Sequence, residues 1–224
     1  MKKYMETLKK SILFTDINEN EIEHILNCLS ATTKEYKKGD YIIEAGDKIS
    51  CVSLVLSGKV HIQKDDYWGN QSILTTINES ELFCESYACL PDTPVSINAV
   101  AITDCTIMFL NLNHIITTCS SSCNFHVRLI HNLLSILASK NMMLTAKLEH
   151  IGQRTTKNKV LSYLSYYCEK SNCASFEIPY NRQQLADYLS VDRSALSNEL
   201  SKLRNEGIIS FNKNKFKLLK DYKN

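Results

Sequence analysis

The chain has 224 residues, enough for one large domain or two of ordinary size. Hydrophobic residues make up 44% and charged residues 22%, a globular composition that argues against long disorder, and no apolar stretch approaches the roughly 18 residues of a membrane-spanning helix. The net charge of +2 is unevenly divided: residues 1–151 carry a charge of −4, and residues 152–224 carry +6. The basic C-terminal third favours a second module that binds a polyanion, although ordinary surface variation could give the same charge.

The cysteines and the first residues bear on the compartment. Nine cysteines, an odd number spread over the whole chain, do not resemble a secreted disulfide framework. Asp16, Asn18 and Glu19 follow the basic start before any apolar signal-peptide core forms. We therefore expect a cytoplasmic protein without a membrane partner.

The first half of the chain predicts a short helix followed by many strands. Ile22, Ile25, Leu26 and Leu29 lie on one face of a helix over residues 18–29. After residue 34, short β-rich runs are separated by Gly39, Gly46 and Gly58, and glycine accepts the positive φ of tight turns. Further strands are predicted over 72–77, 96–102 and 105–112. This spacing indicates a small antiparallel barrel or sandwich.

A long helix follows, with apolar residues in alternating steps of three and four. Its first stripe resembles a coiled-coil seam with one polar member. The members are Val127, Ile130, Leu134, Leu137, Asn141, Leu144, Leu148 and Ile151. A second stripe of Leu129, Leu133, Ile136 and Met143 lies beside it. Such a helix can pack on its own barrel and on a second subunit, so we expect a homodimer; the alternative is a helix buried within one chain.

The C-terminal third predicts two short helices joined by a turn. After an amphipathic helix over 155–169, Leu185, Ala186 and Leu189 form the inner face of the first short helix. Ser190 and Val191 form the turn, with Val191 buried, and Asp192 is expected to cap the next helix through its side chain. Ala195, Leu196, Leu200 and Leu203 lie on one side of that helix. Two β runs, IISF and KFKLL, then predict a hairpin wing.

The outer side of the second helix carries side chains suited to reading DNA. These are Arg193, Ser194, Ser197, Asn198 and Ser201. Arginine can donate two hydrogen bonds to guanine, asparagine can pair with adenine, and serine permits close approach. A solvated helix face is the usual explanation of a polar stripe, but it does not account for the turn, the cap and the wing around it.

Over nearly its whole length the sequence resembles the Crp/Fnr family of transcription regulators. Residues 37–60 (KKGDYIIEAGDKISCVSLVLSGKV) are similar to the opening of the family's β-roll, and 83–86 (FCES) to its effector cassette. Residues 127–151 are similar to its dimer helix, and 183–209 (QQLADYLSVDRSALSNELSKLRNEGII) to its reading head. The resemblance implies an α+β fold: a double-stranded β-helix, or β-roll, then a long dimerisation helix and a winged helix-turn-helix.

The resemblance also implies roles for parts of the chain. It divides the chain into an effector-sensing β-roll domain at 1–123, a dimerisation helix at 124–151 and a DNA-binding domain at 152–224. A homodimer would bind a pseudo-palindromic promoter site in double-stranded DNA, with RNA polymerase as a further partner. Arg193 matches a base-contacting arginine and Arg182 a phosphate contact. Asn198 departs from the arginine common in relatives, so the usual operator sequence is in doubt.

The effector cassette departs from the cyclic-nucleotide pattern. Family members that bind nucleotides use a Gly-Glu pair and, ten residues after the Glu, an Arg-Ser pair that neutralises the phosphate. Cys84-Glu85 and Val95-Ser96 stand there in this chain. Without the arginine, a buried phosphate would lack its counter-charge, so we expect no cyclic AMP and no cofactor. Another small molecule could contact the residues Cys84, Glu85, Ser86, Ser96, His126 and Ile130, or the cavity is filled and inert.

Cys119, Cys123 and His126 have helical spacings of four and three, which would place them on one face. A metal site would need a further ligand or an open position, and no candidate ligand stands nearby in the sequence, so no metal is expected. A cysteine-based redox or metal sensor that uses these three residues is the alternative function, and inert buried thiols are the simplest explanation. No set of nucleophile, base and orienting group is evident, so we expect no enzyme.

Overall fold

The computed structural model describes residues 2–65, 67–68, 71–116 and 124–219. The chain divides into two compact units, Met1–Ser139 and Lys140–Asn224. Within the described ranges, no helix is long and apolar enough to cross a membrane. The boundary between the units falls inside the long helix, whereas the sequence-based division at 123 and 151 is a division by role and stays a prediction.

Eight α-helices are described. Their bounds are α1 Met5–Lys10, α2 Glu19–Cys28, α3 Glu85–Ala88, α4 Leu112–Ile116, α5 Asn124–Ile151, α6 Thr156–Ser171, α7 Arg182–Leu189 and α8 Arg193–Asn205. Single 3₁₀ turns cover Lys2–Tyr4 and Ile12–Phe14. The predicted helix over 18–29 is present as α2, and Asn18 caps it in a reciprocal capping box with Glu21.

The strands form three sheets. Their bounds are β1 Thr32–Tyr36, β2 Tyr41–Ile43, β3 Cys51–Ser57, β4 Val60–Asp65, β5 Gln71–Ile77, β6 Leu82–Phe83, β7 Asn98–Ala101, β8 Cys105–Asn111, β9 Ser175–Glu177, β10 Ile209–Asn212 and β11 Lys215–Leu218. The strand orders are β1-β8-β3-β6, β2-β7-β4-β5 and β10-β11-β9, and the paired strands are antiparallel. The first two sheets form the predicted β-roll.

A tight turn between β3 and β4 depends on glycine. Gly58 has a φ of +87°, and a Cβ atom built on it would lie 2.5 Å from the carbonyl oxygen of Asp104 and 2.6 Å from the Cβ of Cys105. Neither the backbone conformation nor the space admits a side chain at this position. Gly58, which the sequence assigned to a tight turn, is therefore required there because a side chain would clash with Asp104 and Cys105.

The sheet that contains β3 and β8 is buried on both faces. Val55 and Ile107 point into the roll interior, where they join an apolar cluster that includes Val60 and Phe83. The alternate residues Leu54, Met108 and their neighbours pack against α1, α2 and α5 in a second cluster. Because side chains alternate along a strand, one sheet contributes to both clusters.

The two stripes of α5 have different environments. Leu129, Leu133 and Ile136 are buried in the cluster beneath α1 and α2, as the second stripe predicts. Met143, assigned to the same stripe, is 65% exposed. It lies beyond Ser139, where the first unit ends. The first stripe is largely exposed along the same helix.

The second unit has its own apolar core. α6, α7 and α8 pack around Leu164, Leu185, Leu196 and Leu200, and the three-stranded sheet adds Phe216. The β10–β11 hairpin is the predicted wing, and β9 pairs with β11 as a third strand that the sequence did not reveal. The predicted fold class, a β-roll with a long helix and a winged helix-turn-helix, is confirmed.

Candidate nucleic-acid interface

The turn between α7 and α8 is built from local hydrogen bonds. Ser190 ends α7 in the left-handed conformation, with φ of 52°, and the backbone N–H of Val191 donates to the carbonyl of Ala186 at 3.0 Å. Val191 is half-buried against the core rather than fully buried. Asp192 occupies the N-cap position of α8, but its side chain accepts no capping hydrogen bond. The predicted side-chain cap is therefore wrong, while the predicted helix start is correct.

The outward residues of α8 differ in how accessible they are. Arg193, Ser194 and Asn198 are exposed, whereas Ser197 and Ser201 are half-buried. The Ser201 hydroxyl donates to the Ser197 carbonyl at 3.0 Å, within the helix. The three side chains of this set that solvent reaches most freely therefore lie in the N-terminal half of α8.

Three buried leucines, Leu196, Leu200 and Leu203, fix the orientation of α8 on the core. Because they recur at steps of four and three, they occupy one face of the helix and leave the opposite face to solvent. The Lys159 ammonium donates to the carbonyls of Leu189 and Ser190 at 3.2 and 3.3 Å, which satisfies the end of α7. The exposed polar face of α8 thus lies opposite a face that is fully packed on the core.

Arg182 does not extend into solvent in this structure. Its guanidinium carbon lies 5.1 Å from the ring centroid of Phe211 and 5.7 Å from that of Phe216, and its Nη2 donates to the Lys213 carbonyl at 3.4 Å. Arg204 also lies over Phe211, at 5.3 Å. Burial lowers the pKa of the Arg182 guanidinium from its usual value. Arg182 therefore holds the wing against α7, a contact that sequence reasoning missed because it joins residues about 30 positions apart.

The wing supplies basic side chains that the sequence analysis did not single out. Lys213, at the turn, and Lys215 and Lys217, on β11, are all exposed. The Asn214 amide donates to Oε1 of Glu177 at 2.8 Å and to the Ile178 carbonyl at 3.3 Å, which ties the turn to β9. The alternating lysines of the segment NKNKFK could have indicated, from the sequence alone, a hairpin suited to binding phosphates.

A buried histidine lies near the start of the second unit. His150 is 1% exposed, and its Nδ1 lies 2.8 Å from the Ser162 hydroxyl oxygen. The rings of Tyr163, Tyr166 and Tyr188 surround it at centroid distances of 5.6, 5.5 and 6.3 Å. Burial lowers the pKa of His150, and it raises the pKa of Tyr188 to about 12. The imidazole is therefore held neutral.

This burial predicts a pH-dependent stability. Below the ordinary histidine pKa of about 6.5, the unfolded chain binds a proton that folded His150 resists, so the free energy of unfolding falls by at most about 1.4 kcal/mol per pH unit from this group. Nearby Glu149 partly opposes the shift. Urea unfolding at pH 7.5 and 5.5 is expected to show that His150→Gln reduces this loss of stability. The exposed-site variant His131→Gln should retain it, and equal loss in His150→Gln and the unaltered protein would contradict the assignment.

The predicted effector residues of the roll are only partly accessible. Cys84 begins α3 in the left-handed conformation, with φ of 60°, and Glu85 is 4% exposed. Val95 is 2% exposed in the roll core, and its N–H donates to the Asp47 carbonyl at 2.9 Å. Ser86 is exposed. The position that would hold a phosphate-neutralising arginine is thus filled by a buried valine.

Ser96, His126 and Ile130 have other contacts. The Ser96 hydroxyl lies 2.8 Å from the Tyr87 hydroxyl, and Nε2 of His126 lies 2.8 Å from the Ile115 carbonyl oxygen. Ile130 packs on the cluster beneath α1 and α2, whereas Cys84 packs on the roll cluster. Ile130 and Cys84 thus pack on different apolar clusters, and a ligand pocket shared by these residues stays a prediction.

The cysteine alternative falls mostly outside the described residues, since Cys119 and Cys123 lie there. His126, its third member, is 3% exposed and engaged with the Ile115 carbonyl. The described part of the chain contains no group of three or more His, Cys, Asp or Glu side chains that could hold a metal.

Comparisons with known proteins agree with this architecture. Residues 33–122 match the cyclic nucleotide-binding domain family, and residues 158–222 match the Crp-like helix-turn-helix domain family. The transcriptional activator protein FnrL of Cereibacter sphaeroides is 21% identical over 199 residues, covering 84% of this chain and 77% of that protein.

Two solved structures share the fold. The catabolite activator protein of Thermus thermophilus has a TM-score of 0.56 and 23% identity, with 93% of each chain covered. CprK complexed with OCPA has a TM-score of 0.58 and 14% identity, covering 91% of this chain and 92% of that one. Because the chain combines a cyclic nucleotide-binding domain with a Crp-like helix-turn-helix domain and is similar to FnrL along most of its length, it belongs to the Crp/Fnr family of transcription regulators.

Proposed function

We propose that the chain binds a pseudo-palindromic promoter site as a homodimer and regulates transcription in response to a signal other than cyclic AMP. The observation that carries the DNA-binding part is the exposed set of Arg193, Ser194 and Asn198 at the start of α8, above a buried face of three leucines. Placed in a major groove, these side chains meet base edges. Two such helices in a dimer would read half-sites about one helical turn apart.

The wing supports the same proposal through charge. Lys213, Lys215 and Lys217 are positioned to contact phosphates beside the groove that α8 enters, since they project from a hairpin anchored by Arg182. Phosphate contacts position a protein on DNA without selecting sequence. Because the relative from Cereibacter sphaeroides is named a transcriptional activator, RNA polymerase belongs among the proposed partners.

Selection of random DNA by the purified full-length protein is the direct test. We expect enrichment of a two-fold symmetric sequence with half-site centres about 10–10.5 base pairs apart, or a multiple of that spacing. The recovered sequence, bound again at several salt concentrations, should exceed random DNA in affinity by roughly 10³-fold or more. An asymmetric single half-site would contradict the dimer, and no enrichment would contradict sequence-specific binding.

Cyclic AMP is expected not to bind at micromolar concentration. Val95 stands where the phosphate-neutralising cation is needed, and the buried Glu85 adds negative charge in the same roll. A phosphate transferred there would lose its hydration without a compensating cation. Calorimetric titration with cyclic AMP, beside adenosine as a neutral compound with the same base and ribose, measures this. Micromolar affinity for cyclic AMP would overturn the proposal, and binding of adenosine alone would show that charge excludes the nucleotide.

A further inference from the structure

Helix α6 ends in a turn that pairs two cysteines. Asn172 is left-handed, with φ of 49° and ψ of 34°, and its N–H donates to the Glu169 carbonyl at 3.1 Å. The N–H of Cys173 donates to the Cys168 carbonyl at 3.3 Å. These two bonds define a Schellman motif, in which the residues joined by the longer bond commonly bring their side chains into contact. Here both of those residues are cysteines.

Further contacts hold the two cysteines in this arrangement. The Ser171 hydroxyl lies 3.2 Å from each of the carbonyl oxygens of Cys168 and Cys173. The Ser175 N–H donates to Sγ of Cys173 at 3.4 Å. Cys173 is exposed, while Cys168 is half-buried and packs on the core of the second unit. One thiol is therefore open to a reagent from solvent, and the other is less accessible.

We propose that Cys168 and Cys173 form a reversible dithiol–disulfide site that exchanges with low-molecular-weight disulfides such as oxidised glutathione. The Cys173 thiolate attacks one sulfur of the reagent, forms a mixed disulfide and releases one thiol. The Cys168 thiolate then attacks Sγ of Cys173 and displaces the second thiol. The two protein thiols lose two electrons and two protons, which the reagent gains as two thiols. The site is distinct from Cys119, Cys123 and His126.

A second cysteine pair with the same spacing provides an internal comparison. Cys84 and Cys89 are also separated by four residues, but they flank the short helix α3, and the left-handed residue is Cys84 itself. The Cys89 N–H donates to the Glu85 carbonyl rather than to Cys84. Residues five apart along a helix diverge by about 140° around its axis. Burial, followed by the charge of Glu85, also raises the pKa of the Cys89 thiol. This pair should be slow to form a disulfide.

The bond would restrain the connection to the wing sheet. Ala174, which follows Cys173, accepts a hydrogen bond at 2.9 Å from the N–H of Leu218, and β9 then pairs with β11. A disulfide would fix the end of α6 to the start of this pairing. Oxidation is therefore expected to slow amide hydrogen exchange in Ser175–Glu177 and in the facing part of β11.

Peptide mapping of the full-length protein tests the site without requiring DNA binding. The dilute protein is incubated with oxidised glutathione, its remaining thiols are alkylated, and it is digested with trypsin. Trypsin cleaves after Lys170, between the two cysteines, so peptides 160–170 and 171–182 should stay joined until a reductant is added. A parallel chymotryptic digest, which cleaves after Tyr87, separates Cys84 from Cys89, and linkage of that pair at an equal rate would overturn the proposal. A glutathione adduct on Cys173 that never closes would also overturn it. So would two thiols that remain fully alkylated.

Three variants make the test specific. Cys168→Ser is expected to stop the reaction at the mixed disulfide on Cys173, which identifies Cys173 as the entry thiol. Asn172→Gly should keep the closing rate, whereas Asn172→Val should slow closure roughly tenfold, because a β-branched residue disfavours the left-handed conformation. Equal closing rates in these two variants, both verified as folded by circular dichroism, would show that the turn does not create the site.

Discussion

Leu134→Glu and Leu144→Glu, introduced together, are expected to convert a dimer of this protein into monomers. In the single chain these side chains are 60% and 62% exposed, so glutamate there would not disturb the core of its own unit. In a dimer each charge would be buried without a partner, at a cost of about 3–5 kcal/mol. The dissociation constant should therefore rise by more than about 100-fold. Sedimentation equilibrium measures both the mass and the constant.

The choice of leucines matters for this experiment. Leu137 lies in the same stripe but also packs on the cluster beneath α1 and α2, so a charge there would confuse dissociation with unfolding. Ser139→Glu is the matched control, because Ser139 is exposed on α5 and lies outside the stripe. It should leave the mass of the dimer unchanged. A monomeric unaltered protein at micromolar concentration would refute the proposed dimer.

The helix α5 was predicted well because the apolar residues of its first stripe recur at regular helical spacing. The stripe extends over 25 residues, from Val127 to Ile151. Several of its apolar side chains are exposed to solvent in the single chain, and a contiguous exposed apolar surface of this kind is unusual for a monomeric protein. Leu129 and Leu133 are buried by the roll unit as expected, because the second stripe differs from the first in angle around the helix. Met143 departs from the prediction because the first unit ends before it. Helical periodicity fixes which face a residue occupies, but not how far the neighbouring structure extends.

Local features were predictable where one short segment determines them. The extent of α2, the glycine turns of the roll and the leucine face of α8 all follow from neighbouring residues. The predicted side-chain cap at Asp192 is wrong because the residue type permits a capping hydrogen bond but does not require it, and the Asp192 side chain makes none. Strand β9 was missed because three residues carry no usable period, and its stability comes from β11.

Long-range contacts were the least predictable part of the candidate sites. The stacking of Arg182 on Phe211 joins α7 to β10, and no sequence spacing signals it. The effector set of Cys84, Ser96, His126 and Ile130 was inferred from resemblance, yet its members belong to two different apolar clusters or bond to other groups. The sequence thus located the second helix of the helix-turn-helix correctly, because local residues define its start and its buried face, whereas it located the effector region only by analogy.

Arg193→Ala is expected to remove most discrimination at one base pair in each half-site. Arg193 is exposed at the first position of α8, where a recognition helix approaches base edges, and a bidentate arginine–guanine contact contributes about 1–3 kcal/mol of discrimination. The ratio of specific to non-specific affinity should therefore fall by roughly 5- to 150-fold per half-site. Fluorescence anisotropy with the selected site and with a copy altered at that base pair measures the ratio.

Substitutions at two other positions distinguish base recognition by Arg193 from two other effects, the loss of a positive charge and the loss of the contact that holds the wing. Lys213→Ala removes one positive charge from an exposed wing position of each subunit. In a dimer it should therefore weaken binding to all sequences about equally and reduce the slope of log affinity against log salt by about two. Arg182→Ala should also weaken all sequences, because it frees the hairpin from the stack on Phe211 and Phe216. Arg182→Lys should not restore affinity if stacking matters, since an ammonium lacks the planar face of guanidinium. The assignment of Arg193 as the reading residue fails if Arg193→Ala behaves like Lys213→Ala and leaves the affinity ratio unchanged.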